Sequence, residues 1–168
     1  ENMFLKRSYE RVWRRRGLID QKRLDAYTAE KSRAYDIKAT GPDAVARSLS
    51  GGNQQKVVLA REVDLGSKVI LFDQPTRGLD LGAMDNIHRT ILSEKQKGKA
   101  ILLISTELSE IFGLSDRIAV IYRGEIVGIY KNHDLDTEKI GLLMAGYTPG
   151  TEPDNAPGNT PGPAAEAR

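Results

Sequence analysis

Cysteine is absent from the chain. That excludes a disulfide framework and a thiolate metal site, and it fits a reducing compartment. Long apolar runs are missing too: none approaches the ~20 residues that a helix needs to cross a bilayer. The net charge is only +2, too small to imply a polyanionic partner. No internal repeat and no secretory signal is legible. The chain opens on Glu1 rather than methionine and reads as a piece of a longer protein. What remains is an ordinary soluble composition, 39% hydrophobic over 168 residues, with room for about one domain.

Two features stand out against that background. The run SLSGGNQQK, 48–56, places a serine and two glycines at the opening of a helix. Bare backbone N–H groups at the positive end of a helix dipole make a phosphate site. Shortly after it, the apolar run 69–72 delivers Asp73 at its carboxyl end, followed by Gln74-Pro75-Thr76. Open α/β sheets place magnesium and phosphate chemistry at that end of their strands.

The expected phosphate cradle, G-x-x-x-x-G-K-[ST] between a strand and a helix, does not occur in these residues. Gly98-Lys99-Ala100 comes nearest, but Ser93 stands where the first glycine belongs and the run enters a strand. Gly66-Ser67-Lys68 also enters a strand. The chain taken alone is therefore expected neither to bind ATP tightly nor to hydrolyse it.

Periodicity predicts a charged, largely helical stretch over 1–40, with Asp20 as a helix N-cap and Leu24, Tyr27, Ala34 and Tyr35 in a stripe running to Ile37. Gly41-Pro42-Asp43 breaks it. A helix over 53–63 ends at Leu65-Gly66. The run 69–72 reads as a strand buried on both faces. Pro75 and Gly78 turn the chain into a helix over 81–95. A strand at 100–104 and a short helix at 107–112 follow. Runs 117–122 and 125–130 form a hairpin through Arg123-Gly124, and 137–145 forms a last helix. From Thr148 on, Pro, Gly, Asn, Thr and Ala dominate, and 148–168 is expected to be a disordered tail. Strand, helix, strand with apolar runs is the βαβ pattern, so the fold class is α/β with a parallel sheet.

Four segments in order carry a family resemblance. Leu49-Ser50-Gly51-Gly52-Asn53-Gln54-Gln55-Lys56 resembles the signature motif of ABC ATPases, and 69–73 their Walker B strand. Thr76-Arg77-Gly78-Leu79-Asp80 resembles the D-loop of the carbohydrate and nucleoside importers. Ser115-Asp116-Arg117-Ile118, with Gly124 after it, resembles the segment following the switch strand. The likeness runs from about Asn2 to Tyr147. SLSGGNQQK, QPTRGLD and IGLLMAG look most like the second of two tandem cassettes in a nucleoside-type importer.

The resemblance implies a P-loop NTPase-like fold lacking its P-loop half. Residues 1–47 would be part of a helical subdomain and 48–147 the C-terminal part of the ATPase core. It implies ATP and Mg²⁺ as cofactors. Leu49, Ser50, Gly51, Gly52, Asn53 and Gln54 would contact ATP held by the partner cassette. Asp73 would hold the Mg²⁺ shell through water, and Asp80 would make an intercassette contact, with a helix N-cap as its simpler role.

Two positions depart from the family pattern. Gln74 stands where a glutamate usually polarises the attacking water, and an amide cannot accept that proton. Thr106 stands where a histidine usually reaches the γ-phosphate. A non-hydrolysing module therefore stays open as an alternative, as does a tolerated Gln with a neighbouring base. Glu107 is expected in a first helical turn, and His88 and His133 read as surface residues.

The cluster Lys6, Arg7, Arg11, Arg14, Arg15, Arg16, Lys22 and Arg23, with Tyr9 and Trp13, has the composition of a nucleic-acid surface. Nearby Asp20, Asp25 and Glu30 favour a solvated surface facing transporter or lipid headgroups instead. No nucleic-acid partner is expected, and an ABC ATPase acting on nucleic acid or ribosomes is the rival. The resemblance implies as partners an N-terminal cassette of the same polypeptide, transmembrane permease subunits and, indirectly, an extracellular solute-binding protein. Such a protein sits on the cytoplasmic face of the membrane.

Overall fold

A computed structural model describes residues 2–147; the tail expected to be disordered, 148–168, lies outside the described residues. The described residues pack as two units, divided between Leu114 and Ser115.

The first unit opens less helically than its composition suggests. Short 3₁₀ turns at Leu5–Arg7 and Arg11–Trp13 lead into a small antiparallel ladder, β1 (Arg14–Arg15) with β2 (Leu18–Ile19). Arg16 (φ 53°) and Gly17 (φ 85°) turn it, the two left-handed residues of a type I′ hairpin. Burial of Trp13 beside Phe4 and Leu24 anchors this segment, a tertiary effect with no helical period to announce it. Helix α1 (Gln21–Ala34) then starts where expected, Asp20 accepting a hydrogen bond from the Arg23 N–H at 3.2 Å. It stops before Ile37, because Asp36 turns left-handed at φ 49°.

Helix α2 (Gly51–Val63) begins two residues earlier than its periodicity indicates, capped by Ser50. Strand β3 (Val69–Asp73) follows, then α3 (Leu81–Gln96) and β4 (Ala100–Ile104). The two strands pair in parallel, Val69 with Ala100 through Asp73 with Ile104, as the βαβ reading requires. Leu59, Val63, Ile70, Phe72, Ile87, Ile91 and Leu114 form the core. Burying each such side chain contributes about 1.5–3 kcal/mol. Helix α4 (Leu108–Leu114) closes this unit.

The expectation that β3 is buried on both faces is not met. Ile70 and Phe72 face the core, but Val69 and Leu71 are 65% and 58% exposed, and Leu102 and Ile104 beside them 53% and 46%. Among the described residues, packing covers one face of this parallel pair. Such strands read as continuous apolar runs because α/β folds place helices on both sides.

In the second unit, β5 (Arg117–Tyr122) pairs antiparallel with β6 (Glu125–Lys131). Arg123 (φ 48°) and Gly124 (φ 86°) make the turn. Helix α5 (Thr137–Met144), capped by Asp136, buries Ile140 and Leu143. Gly146 (φ 89°) ends it where a Cβ would lie 2.6 Å from the Tyr122 ring, so the close packing there requires glycine.

Candidate functional site at the head of α2 and the end of β3

The head of α2 is arranged by short-range bonds. Ser50 Oγ accepts from the Asn53 backbone N–H at 3.4 Å and from Asn53 Nδ2 at 2.9 Å. With both lone pairs engaged, the Ser50 hydroxyl hydrogen remains to donate. The first intrahelical bond runs from the Gln54 N–H to the Ser50 carbonyl at 2.9 Å. The Gly51 and Gly52 amides therefore precede the helical ladder and are not consumed by it. Asn53 Oδ1 accepts from the Lys38 N–H at 2.8 Å, and Gln54 Nε2 donates to the Leu49 carbonyl at 2.9 Å. These two side chains shape the loop. Ser50 and Gly51 are exposed, while Leu49 and Gly52 are half-buried.

The two glycines differ. A Cβ on Gly51 would meet nothing within 4 Å, whereas one on Gly52 would lie 3.2 Å from Ala83 Cβ and 3.9 Å from Asp80 Oδ2. Gly51 leaves room for a ligand; Gly52 lets the head of α2 approach the head of α3. Asp80 Oδ1 accepts the Ala83 N–H at 2.9 Å, so the N-cap role holds.

Asp73 is exposed at the end of β3, and its carboxylate has no partner among the described residues. Gln74 follows at φ 47°, a strained conformation for a non-glycine residue. Its N–H donates to the Ile104 carbonyl at 2.8 Å, prolonging the ladder. The Gln74 Oε1 accepts from Thr106 N–H at 3.4 Å and Thr106 Oγ1 at 3.3 Å. Gln74 and Thr106 are thus in mutual contact. Glu107 lies just before α4, its carbonyl taking the Ile111 N–H at 3.1 Å.

Among the described residues no group of three or more His, Asp or Glu could cage a metal ion. One unpartnered carboxylate fits Mg²⁺, which commonly keeps water and phosphate as its other ligands.

His88 is not a free surface side chain. It is 27% exposed, and its Nε2 lies 2.9 Å from Oε1 of Glu110, a residue 2% exposed. His133, at 75%, is exposed as expected. Glu110 went unnoticed in the sequence, although its i, i+4 spacing to buried Leu114 puts an acid on the buried face of α4.

The foot of α2 is held electrostatically. Burial opposes the charge of Asp64, but hydrogen bonds from Lys31 and Tyr27, the Lys31 charge and a bond from Arg7 at 2.7 Å outweigh it and keep its carboxyl below the usual range. Lys56, 7% exposed, donates to the Asp36 carbonyl at 2.8 Å and carboxylate at 2.9 Å.

A family model described as ABC transporter matches residues 3–77, a span holding the α2 head, β3 and Gln74. Over this span the chain is similar to part of an ABC transporter ATP-binding domain. It is 40% identical over 146 residues to the nucleoside import ATP-binding protein NupA of Lactococcus lactis, covering 87% of this chain and 29% of that protein. It is 38% identical to the guanosine import ATP-binding protein NupO of Bacillus subtilis, over 88% of this chain and 29% of the relative. The ribose import ATP-binding protein RbsA of Lacticaseibacillus paracasei is 45% identical over 77% of this chain and 26% of its own length. The chain therefore spans under a third of these relatives. The fold resembles that of the ATP-binding cassette MJ0796, solved as a dimer with ADP and Pi. There the TM-score is 0.59 at 23% identity, over 72% of this chain and 52% of that one.

Proposed function

We propose that the chain is part of the ATP-binding, energy-coupling subunit of an importer for nucleosides or simple sugars, from the second of two tandem cassettes. The relatives named for nucleoside, guanosine and ribose import support the solute class. In this reading the head of α2 is donated across a dimer to ATP held by the N-terminal cassette of the same polypeptide. The Ser50 hydroxyl and the Gly51 and Gly52 amides donate to phosphate oxygens, and the α2 dipole favours the negative charge. The observation that carries this is the Ser50 geometry: two acceptor bonds within the chain and one hydrogen left to give.

Bound ATP supplies the transferable phosphoryl group, with Mg²⁺ neutralising its charge. At the end of β3, Asp73 would orient water on that ion. Gln74 can position a water but cannot take its proton, and Thr106 can donate one hydrogen bond but carries no charge. This site is assigned slow turnover. Hydrolysis is assigned to the partner cassette, with an acid of its own at the matching position. Coupling runs to permease subunits at the cytoplasmic face of the membrane and indirectly to an extracellular solute-binding protein. The exposed face of β3 and β4 is assigned to the remainder of the cassette.

The test is turnover of the intact protein carrying Ser50→Arg. The reading expects most ATPase activity to vanish, because a bulky cation blocks closure over the partner's ATP. Unchanged turnover would contradict it.

A further inference from the structure

Thr76, His88 and Glu110 meet in the interior of the first unit. Glu110 Oε1 accepts the Thr76 hydroxyl at 3.0 Å and lies 2.9 Å from His88 Nε2. Thr76 is 3% exposed and Glu110 2%. Glu110 Oε2 is buried with no hydrogen-bond partner among the described residues. Three segments converge on this carboxylate: the loop after β3, helix α3, and helix α4, which follows the loop bearing Thr106.

A half-satisfied buried acid is a poor source of stability, because desolvation opposes it and apolar side chains of equal volume would hold α4 at least as well. What it supplies is register, since one oxygen takes two directed bonds. The loop from Gln74 to Asp80 is also tied at its start, where the Gln74 N–H donates to the Ile104 carbonyl at 2.8 Å and Gln55 Nε2 to the Pro75 carbonyl at 3.2 Å, and near its end, where Leu79 packs against the core. The Arg77 N–H reaches the Gln74 carbonyl at 3.3 Å and the Leu79 N–H the Thr76 carbonyl at 3.1 Å. Arg77 is exposed, and Gly78 adopts φ 73°. The same two loops meet again where Thr106 donates to Gln74, but at 3.3–3.4 Å. The inner contact, at 2.9–3.0 Å, is the tighter one.

We propose that Glu110 is a positioning residue. Through Thr76 it sets the D-loop that ends in Asp80, and through α4 it sets the Ser105–Glu107 loop. Asp80 is thereby presented to the partner cassette while Thr106 stays against Gln74. This rests on the two-cassette reading above.

The experiment measures ATPase kinetics of the intact protein carrying Thr76→Val, Thr76→Ser, Glu110→Gln and the Val/Gln double change, each corrected for folded fraction. Thr76→Val removes the donated hydroxyl at nearly constant volume. It should lower kcat about tenfold, as small misplacements of catalytic loops do. The KM for ATP should move less than about twofold, since ATP is not touched. Thr76→Ser should restore the rate. The double variant should be no slower than the slower single one, because both break one tie. If Thr76→Val keeps the parent kcat per folded molecule, or if the two losses simply add, the positioning role is wrong. Should Glu110→Gln not fold, the Thr76 pair decides alone. Ser50→Arg separates the two levels. If it silences turnover while Thr76→Val does not slow it, only the role of Glu110 falls; if it changes nothing, the two-cassette reading falls and this inference with it.

Discussion

The head of α2 and the end of β3 lie in the same unit and both face phosphate chemistry in the proposed reading, yet they are built differently. At the head of α2 the donors are backbone amides and one hydroxyl, organised by bonds spanning a few residues of chain. At the end of β3 the site depends on side-chain identity: Gln74 and Thr106 hydrogen-bond each other and, in the proposed reading, stand where a base and a cation would act. A motif made of backbone persists as long as the helix starts in the same place. A motif made of side chains loses its chemistry with single replacements while its geometry survives. One region can therefore remain a working donor while the other becomes a slow site.

The largest expected effect falls on the α2 head. Ser50→Arg should reduce turnover of the intact protein on the order of a hundredfold or more, as loss of aligned phosphate donors does, measured by phosphate release. A loss similar to that from changes at the β3 end would erase the contrast. Next comes Asp73→Asn. It should weaken Mg-ATP binding at this site about tenfold, as disturbance of outer metal ligands does, while overall turnover falls less. Equilibrium binding with and without Mg²⁺ separates the two quantities.

A smaller effect concerns acid and the foot of α2. The folded-state pKa of Asp64 is depressed, so its stabilising contribution is complete above the ordinary carboxylate range and is lost as pH falls through the depressed value. Hydrogen exchange between pH 6 and pH 3 should show the last turn of α2 losing protection before α3. Equal loss in both helices would show that the Lys31–Asp64–Tyr27 network does not hold that end.

Much of this was legible in the chain. The β3–β4 pair lay within one residue of its expected bounds because a short apolar run between turn signals leaves few alternatives. Asp20 and Asp80 were readable as caps, and Arg123-Gly124 as a hairpin turn, because those geometries are local. The segment before α1 was misread as helical because Trp13 is held by Phe4, Leu24 and Tyr27 rather than by a helical stripe. The exposure of Val69 and Leu71 was invisible, since an apolar run indicates that a strand should be covered, not whether the covering element is present. His88 was taken for a surface residue because its partner lies 22 positions away. Within the candidate site, the Gln74–Thr106 bond and the division of labour between Gly51 and Gly52 required coordinates.

The smallest expected effect is the most informative one. Turnover of the intact protein with Gln74→Ala should be compared with that after the matching acid-to-alanine change in the first cassette, under identical conditions. The account predicts that Gln74→Ala changes the rate by less than about twofold, while removal of the acid costs on the order of a hundredfold, as loss of a general base does. Equal losses from the two changes would show that Gln74 takes part in hydrolysis and would contradict the asymmetry between the sites.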